Sequence, residues 1–89
     1  MILRKEVMSM TVGEAVVRRI LELCEERKIS LNKLADMSGV TQSTLNNIVS
    51  GRNKSTTVAT VKKLCDGLDI TVDEFFCEAL FRDLEQEVK

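Results

Sequence analysis

The fold is decided by residues 31–51, which read LNKLADMSGVTQSTLNNIVSG. A first helical pattern carries Leu34 and Ala35 and stops at Gly39, and a second pattern starts directly behind Thr41. Two helices joined by so tight a turn must cross steeply, which requires a small residue where their backbones approach. Ala35 meets that requirement, and Gly39 can take the left-handed backbone conformation that ends a helix. We therefore predict two short helices that cross at a steep angle.

The second of these helices has one apolar side and one polar side. Leu45, Ile48 and Val49 form the apolar side. The outward positions hold uncharged hydrogen-bonding groups, namely Gln42, Ser43, Asn46 and Asn47. Amides and hydroxyls of this kind can read base edges, and a helix held out by a tight turn is the layout of a helix-turn-helix. We therefore expect a module that binds double-stranded DNA, with these four side chains contacting bases.

The same polar side could simply be a solvated surface. Asn is a poor helix former, however, and two in succession, Asn46 and Asn47, cost stability relative to Ala or Glu. A helix that needed only solubility would more often use Glu and Lys. The base-reading interpretation is therefore favoured.

Composition and periodicity predict an all-α fold. The 89 residues include no Pro and three aromatic residues, and 44% of them are apolar. Apolar residues recur at helical spacing nearly throughout, and capping residues stand where four of the five patterns start. The predicted architecture is a compact five-helix domain, with helices over residues 12–28, 31–38, 42–49 and 57–68 and from residue 72 onwards.

Three parts of the chain differ in pattern. Residues 1–10 have no convincing helical period and are interpreted as a loose N-terminal arm, residues 11–76 as the DNA-binding domain, and residues 77–89 as an extension of its C-terminal helix. One line of helical positions in that extension is apolar and consists of Cys77, Phe81, Leu84 and Val88. Such a line either folds back over the first helix and the arm or forms a dimer contact. The sequence favours neither alternative.

Periodicity also assigns residues to the core or to solvent. It places Val58 with Val61 on the buried face of the fourth helix, and Phe76 with Phe75 on the inward side of the fifth. Arg19 is assigned to the exposed side of the first helix.

Charge is unevenly distributed along a chain whose net charge is −1. Residues 37–65 contain four basic residues and no acid, whereas residues 66–89 contain two basic residues and eight acids. Acids facing phosphates would repel them, so an acid-free stretch around the proposed reading helix is what DNA contact requires.

Other classes of function find little support in the sequence. The three cysteines are widely spaced and the chain has no His, so a metal site is not expected and the thiols are interpreted as reduced. Without His or a Gly-rich phosphate loop we expect no enzyme and no cofactor. No apolar run approaches the roughly 20 residues that span a bilayer, and the N-terminus lacks a secretory signal, which predicts a cytoplasmic protein without membrane contact.

The chain resembles the phage-repressor family of helix-turn-helix proteins, the Cro and lambda-repressor-like or Xre family. The resemblance covers about residues 12–76. It is carried by Leu34, Ala35, Gly39, Val40, Leu45, Ile48 and Gly51, and by the run LCDGLDITVDEFF at residues 64–76. It implies a lambda-repressor-like fold whose third helix enters the DNA major groove.

The resemblance also implies roles for individual residues. Base contacts fall on the four outward side chains of the third helix already named. Contacts to the sugar-phosphate backbone fall on Thr41, Thr44, Ser50, Arg52, Asn53 and Lys54. Many relatives have Gln at the position of Leu31, where it supports the Gln that opens the reading helix, and many have Pro at the position of Thr56.

The function predicted from these observations is that of a sequence-specific transcriptional regulator. We expect a repressor that binds a near-palindromic operator as a homodimer, because a reading helix without Arg or Lys gives modest affinity per subunit. The alternative is a protein-interaction module, such as an antitoxin whose main partner is a toxin protein. The apolar line from Cys77 to Val88 is the best support for that alternative.

Overall fold

The computed structural model describes residues 11–51 and 56–76, and within them the chain is entirely helical. Five helices follow one another: α1 Val12–Arg27, α2 Leu31–Ser38, α3 Gln42–Val49, α4 Val58–Leu68 and α5 Val72–Phe75. The predicted all-α, five-helix architecture is confirmed. The predictions for the N-terminal arm and for residues 77–89 lie outside the described residues.

Each helix begins behind a hydroxyl side chain. The side-chain oxygens of the five N-cap residues accept the backbone N–H three positions further on, at 3.0–3.1 Å; these residues are Thr11, Ser30, Thr41, Thr57 and Thr71. Glu14 and Glu74 complete capping boxes by accepting the cap residue's own N–H. Each such cap contributes about 1 kcal/mol to helix stability. The start of each of these five described helices is thus encoded locally.

The turn between α2 and α3 depends on Gly39. Its φ of 69° lies in the left-handed region, which a residue without Cβ enters at little cost. The N–H groups of Gly39 and Val40 return to the carbonyls of Asp36 and Ala35, which closes the end of α2. Thr41 then has extended dihedrals and caps α3 at once. The two helices are therefore separated by three residues, as predicted.

The core lies between α1, α2, α4 and the inner side of α3. Leu34, Leu45, Leu64, Cys65 and Phe75 are fully buried, and Ile20, Leu23 and Leu68 nearly so. Ala35 is fully buried as well, which agrees with the need for a small residue in α2.

One close approach between helices was not predicted. It lies at Gly67 of α4, where a Cβ would come within 2.3 Å of Ser38 Oγ and 3.0 Å of the Met37 carbonyl oxygen. Only a glycine permits α4 to lie this close to the end of α2. The periodicity of a single helix cannot predict a contact of this kind, because the contact depends on how two helices pack against each other.

Three residue assignments from periodicity are wrong. Val58 is 76% exposed, because it opens α4 and its side chain tilts toward the N-terminal end, beyond the packed turns. Phe76 is 38% exposed, because neighbouring helical residues point in different directions and Phe75 takes the core position. Arg19 is buried, because it lies on the same stripe as Val16 and Leu23 and its guanidinium finds partners inside.

Candidate nucleic-acid interface

The position of α3 is set by its apolar back. Leu45 and Ile48 are buried in the core, and Val49 is partly buried against it. Burying a side chain of this size stabilises the domain by about 1.5–3 kcal/mol, so α3 cannot turn over without losing several such contributions. The side opposite the core is consequently held toward solvent.

That outward side of α3 carries the four predicted base-contacting residues. Gln42, Ser43 and Asn46 are exposed, and Asn47 is half-buried at the flank of the helix. Within the described part of the chain, none of these four side chains has a hydrogen-bond partner. Exposed amides with unused donors and acceptors can form the paired hydrogen bonds by which side chains recognise a base edge.

The hydroxyl groups at the ends of α3 have local partners. Thr41 Oγ1 accepts the N–H of Thr44 at 3.1 Å and donates to Thr44 Oγ1 at 2.8 Å. The hydroxyl of Thr44, having accepted that bond, still has its own hydrogen to donate. Ser50 is exposed, and its hydroxyl donates to the Asn47 carbonyl at 3.3 Å. The Thr41 hydroxyl is thus committed to the cap, while that of Thr44 can reach an acceptor outside the chain.

A helix-turn-helix family model matches residues 20–75, which is more than half of the chain. The crystal structure of the prophage Lp1 protein 11 superposes with a TM-score of 0.73 at 35% identity, over 81% of this chain and 95% of that one. The chain belongs to the phage-repressor-like helix-turn-helix family. This is a family of DNA-binding regulators rather than of enzymes, and membership indicates a DNA-binding regulator. A comparison with curated proteins gives no match.

One departure from the family pattern has a structural explanation. Leu31, where many relatives are expected to have Gln, is partly buried and packs against the core. The position therefore contributes to folding and offers no polar group to Gln42. Asn32 and Lys33, which follow it in the first turn of α2, are exposed.

The remaining predicted contacts of this helix-turn-helix protein lie outside the described residues. Arg52, Asn53 and Lys54 follow Gly51, which has a φ of 86° just after the end of α3. The candidate dimer residues Cys77, Phe81, Leu84 and Val88 also lie outside them.

The two lysines of α4, Lys62 and Lys63, differ in whether their positive charge is compensated by a neighbouring acid. Lys62 Nζ lies 2.5 Å from Asp66 Oδ1, so the positive charge of Lys62 is partly compensated by its neighbour on the same helix. Lys63 is exposed and has no ion pair among the described residues. The spacing of i and i+4 would have revealed the first pair, because oppositely charged residues so spaced meet on a helix surface. Of the two lysines, Lys63 is the one left available to a phosphate.

The described residues offer no evident chemistry beyond hydrogen bonding and charge. Cys24 and Cys65 are buried free thiols, and burial raises the pKa of both, with the neighbouring Asp66 carboxylate adding to the rise at Cys65. No group of three or more His, Cys, Asp or Glu side chains in the described ranges could hold a metal ion. In the same ranges no helix has the length and apolar character needed to cross a membrane.

Proposed function

We propose that this helix-turn-helix protein is a sequence-specific transcriptional repressor that binds a near-palindromic operator as a homodimer. In each subunit α3 enters the major groove and α2 lies across the DNA backbone. The observation that carries the proposal is the outward side of α3, where exposed amides without internal partners stand on a helix anchored by Leu45 and Ile48.

Base reading is assigned to Gln42, Ser43, Asn46 and Asn47. Gln and Asn can each donate to and accept from adenine at the same time, and a good pair of this kind discriminates against the wrong base by about 1–3 kcal/mol. Gln42 opens α3 and Asn46 lies one turn further on, so both project from the same side of the helix. Asn47 is half-buried at the flank of the helix, so its side chain is less accessible to a base than those of the other three.

Backbone contacts position this reading helix. The Thr44 hydroxyl is available as a donor to a phosphate oxygen, while Thr41 acts through the cap that keeps the first turn of α3 ordered. Ser50, Arg52, Asn53 and Lys54 are assigned to the same role from the family pattern. Backbone N–H groups at the starts of α2 and α3 add to the contact with phosphates.

A homodimer is proposed because one subunit alone binds too weakly. The reading helix α3 carries no Arg or Lys, so each subunit neutralises few phosphates. Two subunits on successive major grooves, about 34 Å apart, double the contacts. The apolar line Cys77, Phe81, Leu84 and Val88 is the proposed contact between subunits. The likeness to a prophage protein supports a setting in mobile elements, where small regulators of this kind act.

The proposal is tested by selecting bound sites from random duplex DNA with the purified chain at moderate salt. The expected product is an inverted repeat with half-sites about one helical turn apart. Failure to enrich any sequence, together with weak and salt-sensitive binding, would contradict the proposal. In that case the interaction-module alternative predicts aggregation of the purified chain until a protein partner is added.

A further inference from the structure

We propose that Arg19 positions the two DNA-binding domains of the dimer, by fixing the direction in which the chain leaves the domain after α5. This inference rests on the proposed dimeric function. It concerns a buried charge that DNA recognition itself does not use.

Arg19 joins the first helix to the last one. Its Nε donates to the Phe75 carbonyl at 2.7 Å, and its Nη2 donates to the Glu74 carbonyl at 3.0 Å. Its Nη1 donates to Glu22 Oε1 at 2.7 Å, which compensates the charge. The guanidinium is planar, so two parallel bonds to consecutive carbonyls fix both the position and the orientation of that piece of backbone.

The contact lies at the exit of the described domain. α5 has only four residues, too few to be stable without tertiary support. The capping box of Thr71 stabilises its start. The two bonds from Arg19 to consecutive carbonyls, called the Arg19 fork from here on, hold its last two residues. Phe76 follows at once, and its ring packs edge-to-face on the buried ring of Phe75 with centroids 4.9 Å apart. The backbone and ring of Phe75 are therefore held by the core, and the ring of Phe76 packs on that of Phe75.

This rigidity bears on how two domains can be placed on DNA. The proposed subunit contact lies beyond residue 76, so Phe75 and Phe76 connect it to the domain. The orientation of one reading helix relative to the other therefore depends on these two residues. One added base pair between half-sites rotates one half-site by about 35° relative to the other. A dimer with a rigid exit rejects such a rotation, and one with a flexible exit tolerates it. The Arg19 fork thus makes the protein selective for half-site spacing.

The experiment compares the full chain with Arg19→Lys, which keeps the charge but lacks the planar guanidinium that fixes the orientation of two carbonyls. Affinity is measured for one half-site and for operators with zero, one or two extra base pairs between half-sites. We expect half-site affinity to stay within about twofold, whereas the penalty for one extra base pair falls from about tenfold to less than about threefold. Glu22→Gln, which leaves the fork to α5 intact, is the matched control and should retain the wild-type penalty.

A second variant keeps the proposal testable if Arg19→Lys does not fold. Insertion of Gly-Gly between Phe76 and Cys77 leaves the fork in place but loosens the exit, and it should relax the spacing preference in the same way. An unchanged spacing penalty in the insertion variant or in folded Arg19→Lys overturns the inference alone. An equal loss on half-sites and on all operators, again without a change in the penalty, shows a structural role only. A wild-type chain that prefers paired half-sites but tolerates every spacing also overturns the inference alone. A wild-type chain that binds paired half-sites no more tightly than one half-site overturns the dimer proposal and this inference with it.

Discussion

The turn from α2 to α3 and the junction of α1 with α5 use hydrogen-bonding groups in opposite ways. On the outward side of α3, Gln42 and Asn46 have exposed amides with no partner within the described chain. At the junction, Arg19 is 6% exposed and donates to two backbone carbonyls and a carboxylate. An unpaired polar group is inexpensive in water and costly when buried, so only the first arrangement leaves capacity for a ligand.

The two regions also differ in how far apart in the sequence the residues lie that determine their structure. The turn is specified by neighbours in sequence, with Ser30 and Thr41 as caps and Gly39 as the terminator. The junction depends on a contact between residues 56 positions apart. The proposed recognition helix is therefore a locally determined element, whereas its proposed placement depends on a non-local contact.

The largest expected effect contrasts two valines of α4 that periodicity had treated alike. Val61→Ala should lower the free energy of unfolding by about 2–3 kcal/mol, because two buried methyl groups are lost and a cavity remains. Val58→Ala should change it by less than about 0.5 kcal/mol, because that side chain is exposed. Urea denaturation measures both. Equal losses for the two variants would show that Val58 is in the core after all.

Gly67→Ala should come next, with a net loss of up to about 2 kcal/mol. Overpacking against the backbone of Met37 and Ser38 costs about 1–3 kcal/mol, and the better helix propensity of Ala offsets about 1 kcal/mol of it. Ser38→Ala in the same chain removes the atom that the new Cβ meets first, a buried hydroxyl with no hydrogen-bond partner among the described residues. The double variant should therefore recover part of the loss. No recovery would show that the backbone approach alone sets the cost.

The sequence could predict features that neighbouring residues determine, but not those that contacts between distant helices determine. The bounds of α2 and α3 and the exposure of Gln42 follow from caps, glycine and periodicity, which act within a few residues. The burial of Arg19 and the need for Gly67 arise from partners on other helices, and nothing in their own neighbourhood marks them. The half-burial of Asn47 was missed for the same reason, because the width of the reading side depends on packing at its flank.

A smaller effect separates two threonine caps. Thr41→Ala and Thr71→Ala should each lower stability by about 1 kcal/mol, because each removes an acceptor for a first-turn N–H. Only Thr41→Ala should also weaken binding to every DNA sequence, since the frayed turn belongs to α3. Binding measured well below both melting temperatures distinguishes the two. If Thr71→Ala weakened DNA binding equally, the Thr41 cap would have no special place in the interface.

The smallest effect concerns alkaline pH. Because burial raises the pKa of Cys24 and Cys65 in the folded chain, the unfolded chain releases these protons first. The stability they contribute is fully present below the ordinary thiol pKa of 9.0 and is lost as pH rises from there through the folded-state pKa. Urea midpoints between pH 8 and pH 10.5 should fall less steeply in Cys24→Ala/Cys65→Ala. A slope identical to that of the unsubstituted chain would rule the thiols out as its cause.

The central claim, that the free amides of α3 read bases, is tested most directly by Gln42→Ala on the selected operator and on random duplex at the same salt. Asn32→Ala, an exposed amide in the first turn of α2, is the matched control. We predict that Gln42→Ala weakens operator binding by about 1–3 kcal/mol for each half-site, roughly 5- to 150-fold per half-site, and leaves random-duplex binding unchanged. Asn32→Ala should keep the ratio of the two affinities. Equal weakening on both DNAs by Gln42→Ala would contradict the account.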